Sequence, residues 1–248
     1  MSISLHPSAQ IDAGLLCGHN VTVEANVRIG SNCQIGHGVV IHADTQIGDG
    51  VRIDDNSVVG KLPMRSVRSA ITRDAPLPPC IIECRCMIGA LAVLYRGAML
   101  DEGVMVADLA TIRENTRIGP YTIIGRGVAV ENKVEIGARC KIETNAYITA
   151  LSAIGDDCFI APEVTFTNDR FLGRTRDRFR YHRGVTMYQG ARVGANATIL
   201  PGIVIGADAL VAAGSVVTRD VAERITVLGS PAREFRPVPA EQLLEHQE

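Results

Sequence analysis

Read in sixes, the chain gives IGSNCQ, IGHGVV, IHADTQ and IGDGVR in its first quarter and IGPYTI, IGRGVA, VENKVE and IGARCK in its middle. Thirty such sextets have their first positions at 11 to 59, 82 to 166 and 187 to 217. Every one begins with Ile, Val, Leu, Met, Phe or Cys, and eighteen begin with Ile. A period of six matches neither the 3.6 of a helix nor the 2 of a strand, but it does match a short strand followed by a tight turn. The first position then points inward with a large aliphatic side chain. The fifth, mostly Ala, Val, Ser, Thr or Cys, points inward with a small one. Three sides close one coil of eighteen residues. The fold class this predicts is all-β, a parallel β-helix of about ten coils, roughly 48 Å tall at ~4.8 Å per coil.

Composition agrees with so narrow a core: 46% of the 248 residues are hydrophobic, yet Trp is absent and only 4% are aromatic. A net charge of -2 argues against a nucleic-acid binder, which needs an extended basic face. The opening MSISLHPSAQ has no basic start or apolar run, and no stretch nears the ~20 apolar residues of a membrane span, so a cytoplasmic protein without membrane contact is expected. Four of the seven cysteines, Cys33, Cys86, Cys140 and Cys158, take the small inward fifth position and read as core residues. Cys80, Cys84 and Cys86 form C-x3-C-x-C, but no second Cys/His pair stands at zinc-site spacing, so no metal is expected.

The repeat breaks twice. GKLPMRSVRSAITRDAPLPPCI, residues 60 to 81, is a Pro-rich basic loop; residues 167 to 186 form a second, and FTNDRFLGRTRDRFRYHRG (166 to 184) packs six arginines and a histidine into nineteen residues. Insertions longer than ~15 residues in a compact fold are usually functional or disordered. The expected organisation is therefore N-terminal coils (1–60), the Pro-rich loop (61–81), central coils (82–166), an Arg-rich active-site loop (167–186), C-terminal coils (187–229) and a tail (230–248) with a short helix around 240 to 246. The helix would flank the solenoid's end, where bare strand edges need cover.

Stepping by one coil sorts the polar residues into vertical stripes. Thr167, Thr149, Glu131 and Arg113 share the second-position column, and Asn168, Ala150, Asn132 and Glu114 the third. Arg113, Glu114, Glu131, Asn132 and Asn168 are thus predicted on one face beneath the arginine loop, a plausible substrate cleft. Outward residues of any solenoid are polar, however, and solvated carboxylates need no task.

Two stretches carry a resemblance. RGVTMYQGARVGANATILPGIVIGADALVAAGSVVTRDVAERITVLGSPAR, residues 183 to 233, resembles the C-terminal coils of hexapeptide-repeat acyltransferases. VENKVEIGARCKIETNAYITALSAIGDDCFIAPEVTFTND is similar to the nucleotide-sugar N-acetyltransferases, most closely those acting on dTDP-3-amino-3,6-dideoxyhexoses. The first nine sextets look like generic coils, as in lipid A acyltransferases. The resemblance implies left-handed coiling, a homotrimer with sites between subunits, acetyl-CoA as cosubstrate along the outer wall and a nucleotide-linked amino sugar as acceptor. It implies acetyl-CoA contacts from Gly194, Ala195, Ala212, Ala213, Arg219, Pro231 and Arg233. Where that family carries Gly-Asn-Pro-Ala, this chain has Gly229-Ser230-Pro231-Ala232.

N-acetylation needs an unprotonated amine, a polarised thioester carbonyl, their alignment and a leaving thiolate. Glu143 and Asp169 are the expected carboxylates orienting the amine, with Asn168 donating to an acetyl or sugar oxygen. Asn145 lies beside Glu143 in KIETNAY. The loop arginines, Arg170 and Arg180 among them, supply charge for a diphosphate and the CoA phosphates. They would also serve trimer salt bridges. His182 is an alternative base. Three rival readings stay open. His19, His37 and His42, partly at the spacing of γ-class carbonic anhydrases, would suit a zinc site; an amino acid or lipid precursor is the acceptor in the second; and the third makes the solenoid a non-catalytic trimeric scaffold.

Overall fold

A computed structural model of the chain describes residues 3–66 and 75–247. The middle of the Pro-rich loop, 67–74, lies outside the described residues. The architecture is the left-handed parallel β-helix. Its first wall runs from strand Ile3–Leu5 to Val216–Val217, its second from Gln10–Ile11 to Val204–Ile205, and its third from Leu16–Cys17 to Ile225–Gly229. The walls hold 11, 10 and 11 strands of the stack, and the antiparallel Ala232–Pro237 adds a twelfth strand to the third sheet. The stack reaches eleven coils rather than the expected ten, because Ile3–Leu5 opens a coil ahead of the first sextet and Ile225–Gly229 closes one after the last. Leu5 keeps the six-residue count and pairs with the first-position Val23, whereas Val227, opposite Val211, lies off it.

Every first-position residue from Val23 onward is a core residue, and the fifth-position thiols Cys33, Cys86, Cys140 and Cys158 are all buried with them. Burial pushes the Cys86 thiol up to about 11 and that of Cys80, also in the core, to about 12, so neither is a nucleophile at neutral pH. The narrow bore explains the aliphatic composition: opposing Ile and small residues fill it at crystal-like density.

The turns explain the fourth position. From Gly14 to Asn56, from Arg85 to Glu163 and from Gly190 to Gly214, each fourth residue has positive φ, which Asn, Asp and Gly adopt most cheaply. Leu109 (φ 64) does not fit that preference and sits half-exposed in the left-handed region. Leu109→Asn is expected to stabilise the protein by about 0.5–1 kcal/mol, read as a raised denaturant midpoint at unchanged slope.

Past the last coil, Ile225–Gly229 pairs antiparallel with Ala232–Pro237. The tail then forms two 3-10 turns, Ala240–Gln242 and Leu244–His246, instead of the expected helix. Extended Leu243 separates them, which buries its side chain and lets the Leu244 N–H donate to Asp208 Oδ1 at 3.0 Å. A seven-residue helix without an N-cap bond is too short to resist that docking.

Candidate active site

Both insertions leave the same corner. The Pro-rich loop departs the first wall after Lys61 and returns to the second at Ile81; the arginine loop departs after Phe166 and returns at Thr186. Between them the first wall carries, in strand register, Lys61, Tyr95, Arg113, Glu131, Thr149 and Thr167. Arg113 grips Glu114 with a two-pronged bond, Nε to Oε2 and Nη2 to Oε1 both at 2.9 Å, and donates from Nη1 to Glu131 Oε2 at 3.1 Å. Glu114 and Asn132 are buried despite their outward positions. Asn168 sits at the upper end of this surface, its Nδ2 3.5 Å from the Ala150 carbonyl.

Asp169 turns out to be occupied by its own loop. Its Oδ1 accepts from the Phe171 N–H and its Oδ2 from the Gly173 N–H, both at 2.9 Å, with Arg178 Nη1 at 3.5 Å and His182 Nε2 at 3.7 Å. Burial alone would raise this carboxyl, but those two N–H groups and the His182 ring outweigh it and hold it below the ordinary carboxylate range. The depressed value means that the ionised group stabilises the loop above pH ~4 and that this contribution disappears as pH falls further. Asp169→Asn removes it at neutral pH. Faster trypsin cleavage within 170–183 is expected for that variant, with the solenoid intact, whereas the unmodified loop should loosen only below about pH 4.

The rest of the arginine loop includes a single helical turn, Arg178–Tyr181, which the sequence pattern did not predict. His182 is tucked beneath it, 9% exposed at the side chain, its ring edge-on to Phe179 at 6.1 Å. Arg170 bends toward the C-terminal coils, its Nη2 3.4 Å from the Pro201 carbonyl, while Arg180 is exposed.

Glu143 occupies a different wall from Asn168. It stands on the third wall at the corner with the first, and strand pairing sets it in one column with Ala161, Gly194 and Ala212. The Glu143 N–H donates to the Ile160 carbonyl, that of Ala161 to Val193, of Gly194 to Val211 and of Ala212 to Val227, so the column is an unbroken backbone ladder. Ala195 and Ala213 follow Gly194 and Ala212 along the same edge. A Cβ on Gly194 would lie 2.5 Å from the Ala213 nitrogen, so glycine is needed there for the coils to close up. At the top, Arg219 and Arg233 line a cavity of about 280 Å³ with Val221, Ile225 and Ala232, and Pro231 lies exposed in the adjoining hairpin turn. From Glu143 to that hairpin is four coil steps, about 19 Å.

Asn145 has a structural task of its own. It is a fourth-position turn residue with φ 60, and its Nδ2 donates to Glu163 Oε1 at 2.8 Å in the next coil. Its amide serves the turn ladder. Two features escaped the sequence reading. Tyr95 lies one further eighteen-residue step below Arg113, and Ala161 belongs to the Glu143 column but is hidden because the arginine insertion breaks the step to Gly194.

The histidines of the zinc reading separate. His19 and His37 stack with centroids 5.3 Å apart, the His37 Nδ1 taking the His19 backbone N–H, while His42 pairs with Glu24 at 3.1 Å on the first wall. Among the described residues no group of three or more His, Cys, Asp or Glu side chains is placed to hold a metal ion. Nor is any described helix long and apolar enough to cross a membrane.

The bacterial transferase hexapeptide (six repeats) family matches the chain over residues 26–61, 115–150 and 185–219, so the chain carries the repeat of those transferases. No curated protein sequence matches it. The Arabidopsis UDP-N-acetylglucosamine acyltransferase structure is similar in fold over 94% of this chain and 74% of its own, with a TM-score of 0.54 and 16% identity. A hexapeptide-repeat acetyltransferase from Vibrio cholerae, complexed with acetyl coenzyme A, is 27% identical over 49% of this chain and 70% of its own (TM-score 0.44). Soybean serine acetyltransferase is 32% identical, with 46% of this chain covering 40% of that one (TM-score 0.33).

Proposed function

We propose that the protein is an acetyl-CoA-dependent acyltransferase that N-acetylates a nucleotide-linked amino deoxysugar, in the manner of the dTDP-3-amino-3,6-dideoxyhexose enzymes. The observation that carries this reading is the column Glu143, Ala161, Gly194, Ala212. It offers a smooth, small-residue track for an extended thioester arm, with arginines at one end and a carboxylate at the other. The hexapeptide transferase repeat and the quoted sugar N-acetyltransferase motifs support the same assignment.

In this reading the acyl-CoA arm lies along the track with its phosphates toward Arg219 and Arg233. The amine attacks the thioester carbon, a C–N bond forms, and the tetrahedral intermediate collapses with loss of the C–S bond. The departing sulfur takes the amine proton directly or through Glu143. Glu143 orients the amine. Asn168 donates to an acetyl or sugar oxygen. Asp169 is a positioning residue that holds the arginine loop, whose exposed guanidiniums, Arg180 included, receive the diphosphate.

Glu143 and Asn168 face different ways within one chain, so the site is completed between copies of a homotrimer, the arginine loop of one reaching the track of the next. A cytoplasmic location belongs to the same reading, since acetyl-CoA and activated sugars are made there. The test is thiol release from acetyl-CoA against a panel of dTDP- and UDP-linked amino sugars. Turnover of one member is expected; silence across the panel would overturn the sugar assignment.

A further inference from the structure

Between the two insertions the first wall is unusual for an outward solenoid face. Its fixed charges cancel: Lys61 and Arg113 stand against Glu114 and Glu131. Its side chains are held in place before any ligand arrives. The Tyr95 ring lies between the Lys61 ammonium at 4.8 Å and the Arg113 guanidinium at 5.4 Å, and Arg113 is itself locked by two carboxylates. One coil above Glu131, Tyr147 stands beside Thr149 and is 38% exposed. The insertions that bracket this surface are five coil steps apart, about 24 Å.

We propose that Tyr95, Arg113, Glu131 and Tyr147 form a saccharide-recognition surface that holds the hydroxyl-rich ring of the acceptor. The exposed Tyr147 ring for the C–H side of a pyranose, with a rigid carboxylate and guanidinium for its hydroxyls, is what a neutral polyol needs, while Tyr95, stacked between two cations, holds Arg113 in place. A patch without net charge has little to offer a phosphate, which the arginine loop serves better. Because the groups are already ordered, little side-chain entropy is lost on binding. Burial, with the neighbouring Glu131 charge, raises the Tyr147 hydroxyl above its ordinary value, so it stays a neutral donor throughout the working range. The geometry also suits the proposed chemistry, on which this inference rests. Glu143 belongs to the same coil as Glu131, so a second copy related by an axis parallel to the solenoid presents its Glu143 at the height of this surface.

The experiment compares Tyr147→Ala, Tyr147→Phe and Glu131→Gln with the unmodified full-length protein. Tyr147→Ala and Glu131→Gln are expected to raise the KM for the amino-sugar nucleotide about tenfold, leaving kcat and the affinities for acetyl-CoA and free nucleoside diphosphate within about twofold. Tyr147→Phe, which keeps the ring, is expected to stay within about threefold of the original KM. An unchanged KM in the first two variants, an equal loss for the sugar-free nucleotide, or a drop in particle mass by light scattering without a sugar-specific effect would overturn the proposal. If no amino sugar is acetylated, the acyltransferase reading fails separately. Saturation-transfer NMR with a UDP-hexose then decides this one: transfer to the sugar protons that Tyr147→Ala abolishes supports it, and no transfer overturns it.

Discussion

Glu143→Gln is expected to lower kcat for acetyl transfer by about 10²- to 10⁴-fold while leaving acetyl-CoA affinity within about twofold. The variant keeps the shape of the side chain and its half-buried place on the third wall, so the solenoid should melt as before. Its position at the foot of the Ala161, Gly194 and Ala212 column is why the effect should fall on the chemical step. The carboxylates of Asp169 and Glu114 are engaged by loop N–H groups and by Arg113, which leaves Glu143 as the better candidate to meet an amine. A loss of CoA affinity equal to the loss of kcat would mean that Glu143 shapes the track and does not act on the amine. Single-turnover thiol release separates the two outcomes.

Phe166→Ala is the substitution expected to damage the fold most, by about 3–5 kcal/mol. Phe166 is the largest fully buried side chain, inward on the first wall where every neighbour in its column is aliphatic, and it is the last core residue before the arginine loop. The next residue ties the coil upward, Thr167 Oγ1 donating to the Ile199 carbonyl at 2.9 Å. A cavity here should release the loop as well as weaken the stack, so early trypsin cleavage and a lowered denaturant midpoint should appear together. Phe166→Leu, which keeps most of the volume, should cost less than about 1.5 kcal/mol.

Much of this was legible because the six-residue period is also a coordinate system. Once Ile at the first position is inward, an eighteen-residue step names vertical neighbours, and Arg113, Glu114 and Glu131 meet where that step puts them. The same arithmetic fails wherever the chain stops counting. Ala161 and Gly194 are adjacent in space, but the arginine insertion separates them in the count. Asn145 reads as a site residue by its motif, and its φ of 60 answers equally to the fourth-position preference for the left-handed region. Asp169 looked catalytic by motif; only the folded loop shows Phe171 and Gly173 turning their N–H groups onto it. The tail's composition favours a helix, and the docking of Leu243 and Leu244 decides otherwise.

The most direct test of the account is calorimetric titration of acetyl-CoA into the unmodified protein and into Ala212→Trp, which places an indole across the track without touching Glu143 or the arginine loop. Saturable binding by the first and its loss in the second, with the β-helix intact by circular dichroism, is the predicted result. Equal affinity in both, or no binding by the unmodified protein, would contradict the claim that an acyl-CoA lies along this corner.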